Sequence, residues 1–128
     1  MTSETLHEDP SRLKPETVDR HRAITSLMEE LEAVDWYDQR VDAATDDELR
    51  AILAHNRDEE KEHASMILEW LRRNDPKFHE HLRTYLFTEA GVTDIEDEAE
   101  GGGSAGNGGG ANKSANGSLG IGSLKKGL

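Results

Sequence analysis

Apolar residues recur every three to four positions along two long stretches of the chain, the spacing of one face of an α-helix. The first stretch starts at Pro15-Glu16 and runs to about Thr45, with apolar residues at Ile24, Leu27, Leu31, Val34 and Val41. The second runs to about Asn74, with apolar residues at Leu49, Ile52, Leu53, Ile67 and Leu71. The pattern predicts two helices of about thirty residues, each about 45 Å long.

Capping and turn residues separate these helices and predict a third. Thr45-Asp46-Asp47-Glu48 has the sequence of a capping box that opens the second helix. The loop before it is very short, and short loops join antiparallel neighbours. Asp75-Pro76 ends the second helix and can cap a short third helix that ends near Thr88. The apolar positions of that helix are Phe78, Leu82, Tyr85 and Leu86.

Three polar side chains interrupt the apolar stripes. Glu60 and His63 lie three residues apart on the stripe of the second helix, and Glu30 lies on the apolar side of the first. A carboxylate in such a place is costly unless it is paired or bound to a cation. The neighbouring acids Asp58, Glu59 and Glu62 fall off the stripe and indicate a solvated face.

The positions of these residues predict a shared metal site. Glu30 lies fifteen residues before Thr45 and Glu60 fifteen after it, so an antiparallel hairpin places them at about the same height. Di-iron carboxylate bundles take one Glu from each of two helices and a Glu-x-x-His motif from each of two others. This chain holds one of each, and two copies would supply the whole set.

Two long helices also cannot enclose a core by themselves. A single copy would expose a large apolar stripe, so the pattern predicts at least a dimer with four long helices. The fold class is therefore all-α: an antiparallel two-helix hairpin with a short C-terminal helix, dimerising into a four-helix bundle.

Composition narrows the chemistry. The 128 residues carry a formal charge of −12 and contain no cysteine. All 27 acidic residues and 12 of the 15 basic ones lie in residues 1–100. An acidic body argues against nucleic acid and anionic membranes as partners and suits the attraction of cations. The absence of cysteine leaves oxygen and nitrogen ligands only. No apolar run approaches a membrane span of about 20 residues, and the expected location is the cytoplasm.

The C-terminal third has a different composition. Order is expected to fade from Gly91, and the predicted organisation is a helical domain at 1–96, a flexible Gly-rich linker at 97–117 and a docking peptide at 118–128. Apolar residues return in the last segment, at Leu119, Ile121, Leu124 and Leu128. An apolar end on a flexible tether is typical of a peptide that docks on a partner. The plainer interpretation is a frayed terminus.

Other interpretations of the polar residues stay open at this point. Glu60 and His63 would also pair with each other across a helix interface without any metal. His55 lies beside the same stripe and is expected to cap or pack rather than bind a metal. Glu29 and Glu32 would form a solvated strip or, in an oligomer, a carboxylate ring that attracts Fe²⁺.

Four blocks of sequence resemble the encapsulated ferritins of bacteria. They are Met28 to Tyr37, His55 to His63, Glu69 to Arg73 and Leu82 to Glu89, in order and with the family's spacing. The resemblance covers roughly residues 6–96. The final segment, Ser118 to Leu128, is similar to the localisation peptides that dock cargo inside encapsulin shells.

The resemblance implies a half-ferritin that dimerises around a di-iron ferroxidase centre and assembles as a ring of five dimers, a homodecamer. It implies Glu30, Glu60 and His63 of both subunits as iron ligands, with Tyr37 against the centre. Glu29, Glu32 and Trp36 would line the path by which metal reaches the centre, where Ca²⁺ or another divalent cation could also bind. The enzyme would oxidise Fe²⁺ to Fe³⁺ with dioxygen, for storage in an encapsulin nanocompartment in the bacterial cytoplasm.

Two rival functions fit parts of the pattern. One is a non-enzymatic helical adaptor whose metal site is structural or absent and whose function lies in the tail. The other is a rubrerythrin-like peroxidase on the same bundle, which would prefer peroxide to dioxygen.

Overall fold

The computed structural model describes the backbone of residues 6–105 and the side chains of residues 6–101. Within that range the regular elements are α-helices and one 3-10 turn, and no strand occurs. They are a turn at Pro10–Arg12, α1 at Pro15–Ala43, α2 at Asp47–Asn74, α3 at Pro76–Tyr85 and α4 at Val92–Ala105. The all-α class and the three predicted helices are confirmed. The docking peptide at 118–128 lies outside the described residues.

The loop between α1 and α2 is as short as predicted, but its cap lies one residue further along the chain. Asp46, not Thr45, caps α2: its Oδ2 accepts a hydrogen bond from the Leu49 N–H at 2.8 Å. Asp46 immediately precedes the first helical residue, so its short side chain reaches the exposed N–H groups of the first turn. The Arg50 guanidinium closes the loop by donating to the Ala44 carbonyl. The prediction of a capping box at Thr45 was therefore wrong.

α1 and α2 pack as an antiparallel hairpin within the first of two compact units, Met1–Asn74. An ion pair connects the two helices away from the loop. Arg57 Nη1 on α2 lies 3.1 Å from Asp38 Oδ1 on α1. Arg57 also donates through Nε to Asp58. The two helices are thus held side by side by charge as well as by apolar contact.

The hairpin has almost no core of its own. Among the described residues only Ala64 and Leu71 are buried. Several large apolar side chains are each more than half exposed, namely Met28, Leu31, Ile52 and Met66. A single copy therefore leaves apolar surface open on both helices, which is the condition from which dimerisation was predicted. Dimerisation itself stays a prediction.

The second unit, Asp75–Leu128, contains α3 and α4. Asp75 caps α3 as predicted, since its Oδ1 accepts from the N–H groups of Lys77 at 3.0 Å and Phe78 at 3.1 Å. The helix ends at Tyr85 rather than near Thr88. Phe87 has a φ of 60°, a left-handed conformation that cannot continue a right-handed helix. The Thr88 hydroxyl then donates to the Tyr85 carbonyl at 2.7 Å.

α4 occupies a stretch where loss of order was expected. It opens with a hydrogen bond from the Ile95 N–H to the Gly91 carbonyl at 2.9 Å and has Asp94 in its first turn. Acidic residues near a helix N-terminus interact favourably with the helix dipole. The acidic composition of this stretch is therefore compatible with a helix, although it was interpreted as a sign of disorder. The helix extends past the predicted boundary at 96, and the rest of the predicted linker, 106–117, lies outside the described residues. None of the described helices is both long enough and apolar enough to cross a membrane.

Candidate metal centre

Glu30, Glu60 and His63 meet at the middle of the hairpin. Glu30 comes from α1, and Glu60 and His63 come from successive turns of α2. One donor atom from each side chain can be chosen so that all three lie within 4.8 Å of one another. In the described part of the chain, this is the one group of three or more acidic or histidine side chains close enough to hold a metal ion. The equal-height arrangement predicted from the hairpin is observed.

The imidazole of His63 presents one particular nitrogen to the carboxylates. Its Nδ1 lies 3.3 Å from Glu60 Oε1 and 3.6 Å from Glu30 Oε1. Both glutamate side chains are 25% exposed and the histidine is 42% exposed. The trio is therefore partly withdrawn from water, yet open enough for an ion to reach it.

In the trio, two carboxyl groups lie close together and one imidazole is the nearby basic group, so the pKa values of the carboxyl groups are shifted apart. The pKa of Glu30 is raised, because it shares a hydrogen bond with Glu60, is partly desolvated and is repelled by the Glu60 charge. The pKa of Glu60 is lowered, chiefly by its hydrogen bond with Glu30 and then by its hydrogen bond and charge interaction with His63. Glu30 is thus the carboxyl group that holds a proton more readily when no cation is bound.

Two opposing effects act on the pKa of His63. Desolvation is the largest single effect and lowers its pKa, but the neighbouring carboxylates of Glu60, Glu30 and Glu59 together outweigh it and raise the pKa. Two carboxylates facing one imidazole offer the oxygen and nitrogen donors that suit Fe²⁺, Mn²⁺ and Zn²⁺. Three side chains leave coordination positions free for a further ligand, so the donor set fits a transition metal but does not saturate it.

The sequence matches the profile of the EncFtn-like family over residues 5–89. The chain belongs to the EncFtn-like family. It is 68% identical to a protein of Rhodospirillum rubrum named "Encapsulated ferritin-like protein", over 98% of this chain and 91% of that one. It is 36% identical to the "Encapsulin nanocompartment cargo protein EncC" of Myxococcus xanthus, over 45% of each chain.

A solved structure supports the fold assignment. The crystal structure of a protein from Nitrosomonas europaea superposes with a TM-score of 0.67 at 61% sequence identity. The match covers 69% of this chain and 97% of that chain. The helical part of this family member therefore has a counterpart of nearly the same extent in an experimental structure.

Trp36 and Tyr37 lie further along α1, and both rings are near the guanidinium of Arg40. The guanidinium carbon of Arg40 is 5.5 Å from the centroid of the Tyr37 ring and 5.9 Å from that of Trp36. Cations at such distances are attracted to the ring faces. Tyr37 is half-buried, two helical turns or about 10 Å along the axis from Glu30. Its predicted role beside the centre stays a prediction.

Glu29 and Glu32 are exposed on α1, as expected for a strip apart from the trio. Among the described residues of one copy, Glu29 and Glu32 belong to no group of three acidic or histidine side chains close enough to hold a metal ion. A cation site there requires carboxylates from another copy, so the predicted access path of Glu29, Glu32 and Trp36 also stays a prediction.

Sequence reasoning missed two residues near the centre. Glu59 is exposed, as predicted for a solvated face, but its Oε1 also lies 3.9 Å from Nε2 of His63, a proximity that was not predicted. The i, i+4 spacing of Glu59 and His63 was the signal that could have found it. Arg57, which pairs with Asp38 across the hairpin, gave no local signal because its partner is nineteen residues away. His55 was expected to cap or pack, whereas its side chain is exposed and lies 4.0 Å from Glu59.

Proposed function

We propose that the protein is a ferroxidase that oxidises Fe²⁺ to Fe³⁺ with dioxygen at a di-iron centre formed between two subunits. The observation that carries the proposal is the trio of Glu30, Glu60 and His63, which places two carboxylates and an imidazole within 4.8 Å across facing helices. Membership of the EncFtn-like family and the ferritin-like name of the Rhodospirillum rubrum relative support it.

The second subunit is required by the donor count. One copy offers three donors, which is half of the set that a ferritin-like di-iron centre uses. The same hairpin exposes Met28 and Leu31 on α1 and Ile52 and Met66 on α2. Covering these residues with a second hairpin would bury apolar surface and bring two trios together. Assembly of such dimers into a ring of five follows from the family resemblance.

The residues of the chain have distinct roles in this proposal. Glu30, whose pKa is raised by its hydrogen bond with Glu60 and by partial burial, would bind Fe²⁺ in its ionised form. Glu60 and Glu30 supply the negative charge that favours Fe³⁺ over Fe²⁺. His63 supplies a neutral nitrogen through Nδ1, the atom that faces both carboxylates. Each Fe²⁺ gives one electron to dioxygen, and Tyr37 is proposed to lie against the centre during that step.

The proposed access path uses residues on the other side of α1. Glu29, Glu32 and Trp36 are exposed in the single copy. Paired with the same residues of a second copy, the two carboxylates would attract Fe²⁺, and they would also accept Ca²⁺ or another divalent cation.

Delivery to a compartment is proposed from the names of the relatives and from the C-terminal segment. The Rhodospirillum rubrum relative is named as encapsulated and the Myxococcus xanthus relative as an encapsulin cargo. We place this protein inside an encapsulin nanocompartment of the bacterial cytoplasm, bound to the shell through Ser118–Leu128. Co-expression with shell protein tests this: full-length protein should co-purify with shells, and protein ending at Gly117 should not.

An aerobic Fe²⁺ titration followed by near-ultraviolet absorbance tests the ferroxidase. Wild-type protein should oxidise Fe²⁺ rapidly, with a break at about one iron per chain, the ratio of a two-iron centre shared by two chains. Glu60→Ala should oxidise no faster than buffer because it removes one of three donors. Glu62→Ala, an exposed carboxylate on the same helix, is the matched control and should behave as wild type. Oxidation by wild type at the buffer rate would refute the proposal.

A further inference from the structure

Both nitrogens of the His63 ring have acidic side chains nearby. Nδ1 faces Glu60 and Glu30 at 3.3 and 3.6 Å, and Nε2 faces Glu59 Oε1 at 3.9 Å. Glu59 and His63 are one turn apart on α2, so the helix places their side chains on the same face. His63 is thus placed between two sets of proton acceptors.

These two sets compete for a single proton when the ring is neutral. A neutral imidazole carries its proton on one nitrogen and a lone pair on the other. Glu60 and Glu30 favour the form protonated at Nδ1, and that form has no lone pair to offer a metal between the carboxylates. Glu59 favours the form protonated at Nε2, which leaves the Nδ1 lone pair directed at them.

Metal-binding histidines usually donate their other N–H to a carboxylate, a carbonyl or water, which fixes the tautomer and orients the ring. We propose that Glu59 is a positioning residue that holds His63 in the Nε2-protonated tautomer and so presents Nδ1 to a metal bound by Glu30 and Glu60. This inference rests on the proposed function for its metal, but not for its effect on the tautomer.

The distance of 3.9 Å is longer than a direct hydrogen bond of about 2.9 Å. The Glu59 side chain is 49% exposed, so it has room to rotate toward the ring, and one bridging water would serve equally. The second oxygen of Glu59, Oε2, lies 4.0 Å from Nε2 of the exposed His55 on the same face of α2. A hydrogen bond from Nε2 of His63 to Glu59 thus needs only a small movement of the exposed Glu59 side chain.

The first test measures the tautomer in metal-free protein. Long-range ¹⁵N–¹H NMR of the imidazole, with the His63 signals identified by their loss in His63→Ala, reports the proton on each nitrogen. The spectra are recorded at a pH where the ring is neutral. Glu59→Ala should move protons from Nε2 to Nδ1. Glu59→Gln keeps an acceptor oxygen and should stay near wild type, and Glu62→Ala is the control of equal charge.

The second test measures Zn²⁺ affinity by calorimetry, which needs no iron oxidation. Glu59→Ala should bind Zn²⁺ about 10- to 100-fold more weakly, the range for loss of such a partner. Glu59→Gln should recover most of the loss, and Glu62→Ala should match wild type.

Two results would overturn the inference. One is an unchanged tautomer ratio in Glu59→Ala, and the other is an equal loss of Zn²⁺ affinity in Glu62→Ala, which would indicate a general charge effect. The tautomer shift together with wild-type protein that fails to oxidise Fe²⁺ would instead uphold the inference and refute the ferroxidase.

Discussion

Two clusters of charged side chains, around Glu60 and around Glu69, lie about two and a half turns apart on α2. They differ in whether cationic side chains of the protein balance the carboxylates. At the C-terminal end, Glu69 receives a forked pair of hydrogen bonds from Arg72, both at 2.8 Å, and another from Arg73 at 2.6 Å. These guanidinium groups lower the pKa of Glu69 to about 2. At the middle of the helix, Glu60 faces a second carboxylate and one imidazole, and the pKa of Glu30 is raised.

The difference separates a carboxylate that is balanced by cations of its own helix from a candidate cation site. Glu69 has its positive charge supplied from the same helix and has no need of an external cation. Glu30 and Glu60 lie together, and among residues 6–101 His63 alone is the basic group that acts on both of them. Like charges in a partly desolvated place are unfavourable without a counter-ion. A perturbed pKa by itself does not distinguish the two clusters, but its direction and cause do.

The largest expected contrast is in stabilisation by a metal. Zn²⁺ at one hundred times its dissociation constant should raise the melting temperature of wild-type protein by about 10 °C, since a ligand that binds only the folded state stabilises it. Glu60→Ala should lose this rise, whereas Glu69→Ala should keep it. Differential scanning fluorimetry with and without chelator measures both. An equal rise in Glu60→Ala would place the metal elsewhere.

A smaller contrast concerns the stability of metal-free protein at neutral pH. Neutralising a carboxylate is expected to change the melting temperature in opposite directions in the two clusters. The raised pKa of Glu30 means that its charge destabilises the folded state, so Glu30→Gln should raise the melting temperature by a few degrees. The lowered pKa of Glu69 means the reverse, so Glu69→Gln should lower it. Thermal unfolding in chelator measures the two changes side by side. If both substitutions lower the melting temperature, the comparison fails.

The smallest expected effect is the pH dependence of the Glu69 cluster. A carboxyl group whose pKa is lowered by folding contributes stability above its unfolded pKa, and that contribution is lost as pH falls through the folded value. The difference in urea midpoint between wild type and Glu69→Gln should therefore be constant from pH 7 to about 4.5. It should then shrink toward zero as pH approaches 2, because the folded pKa of Glu69 is about 2. A difference that persists unchanged at pH 2 would show that the charge of Glu69 is not its cause.

Much of the hairpin could be predicted from spacing alone. The helical period of the apolar residues and the short segment near Thr45 were enough to pair α1 with α2 and to bring Glu30 level with Glu60. The helix C-terminal to Gly91 was missed, because acidic composition was interpreted as loss of order although acids favour the start of a helix. The cap of α2 was placed one residue early, since Thr45 and Asp46 are both good capping residues.

The sequence by itself determined which polar residues interrupt the apolar stripes and their heights on two helices, because helical period and loop length are local properties. Only the tertiary structure decided how charges are balanced between the helices. It brings Asp38 to Arg57 and Glu30 within reach of Glu60 and His63. Those contacts depend on the rotation of each helix about its axis and on side-chain rotamers, which are set by packing rather than by the order of residues along the chain.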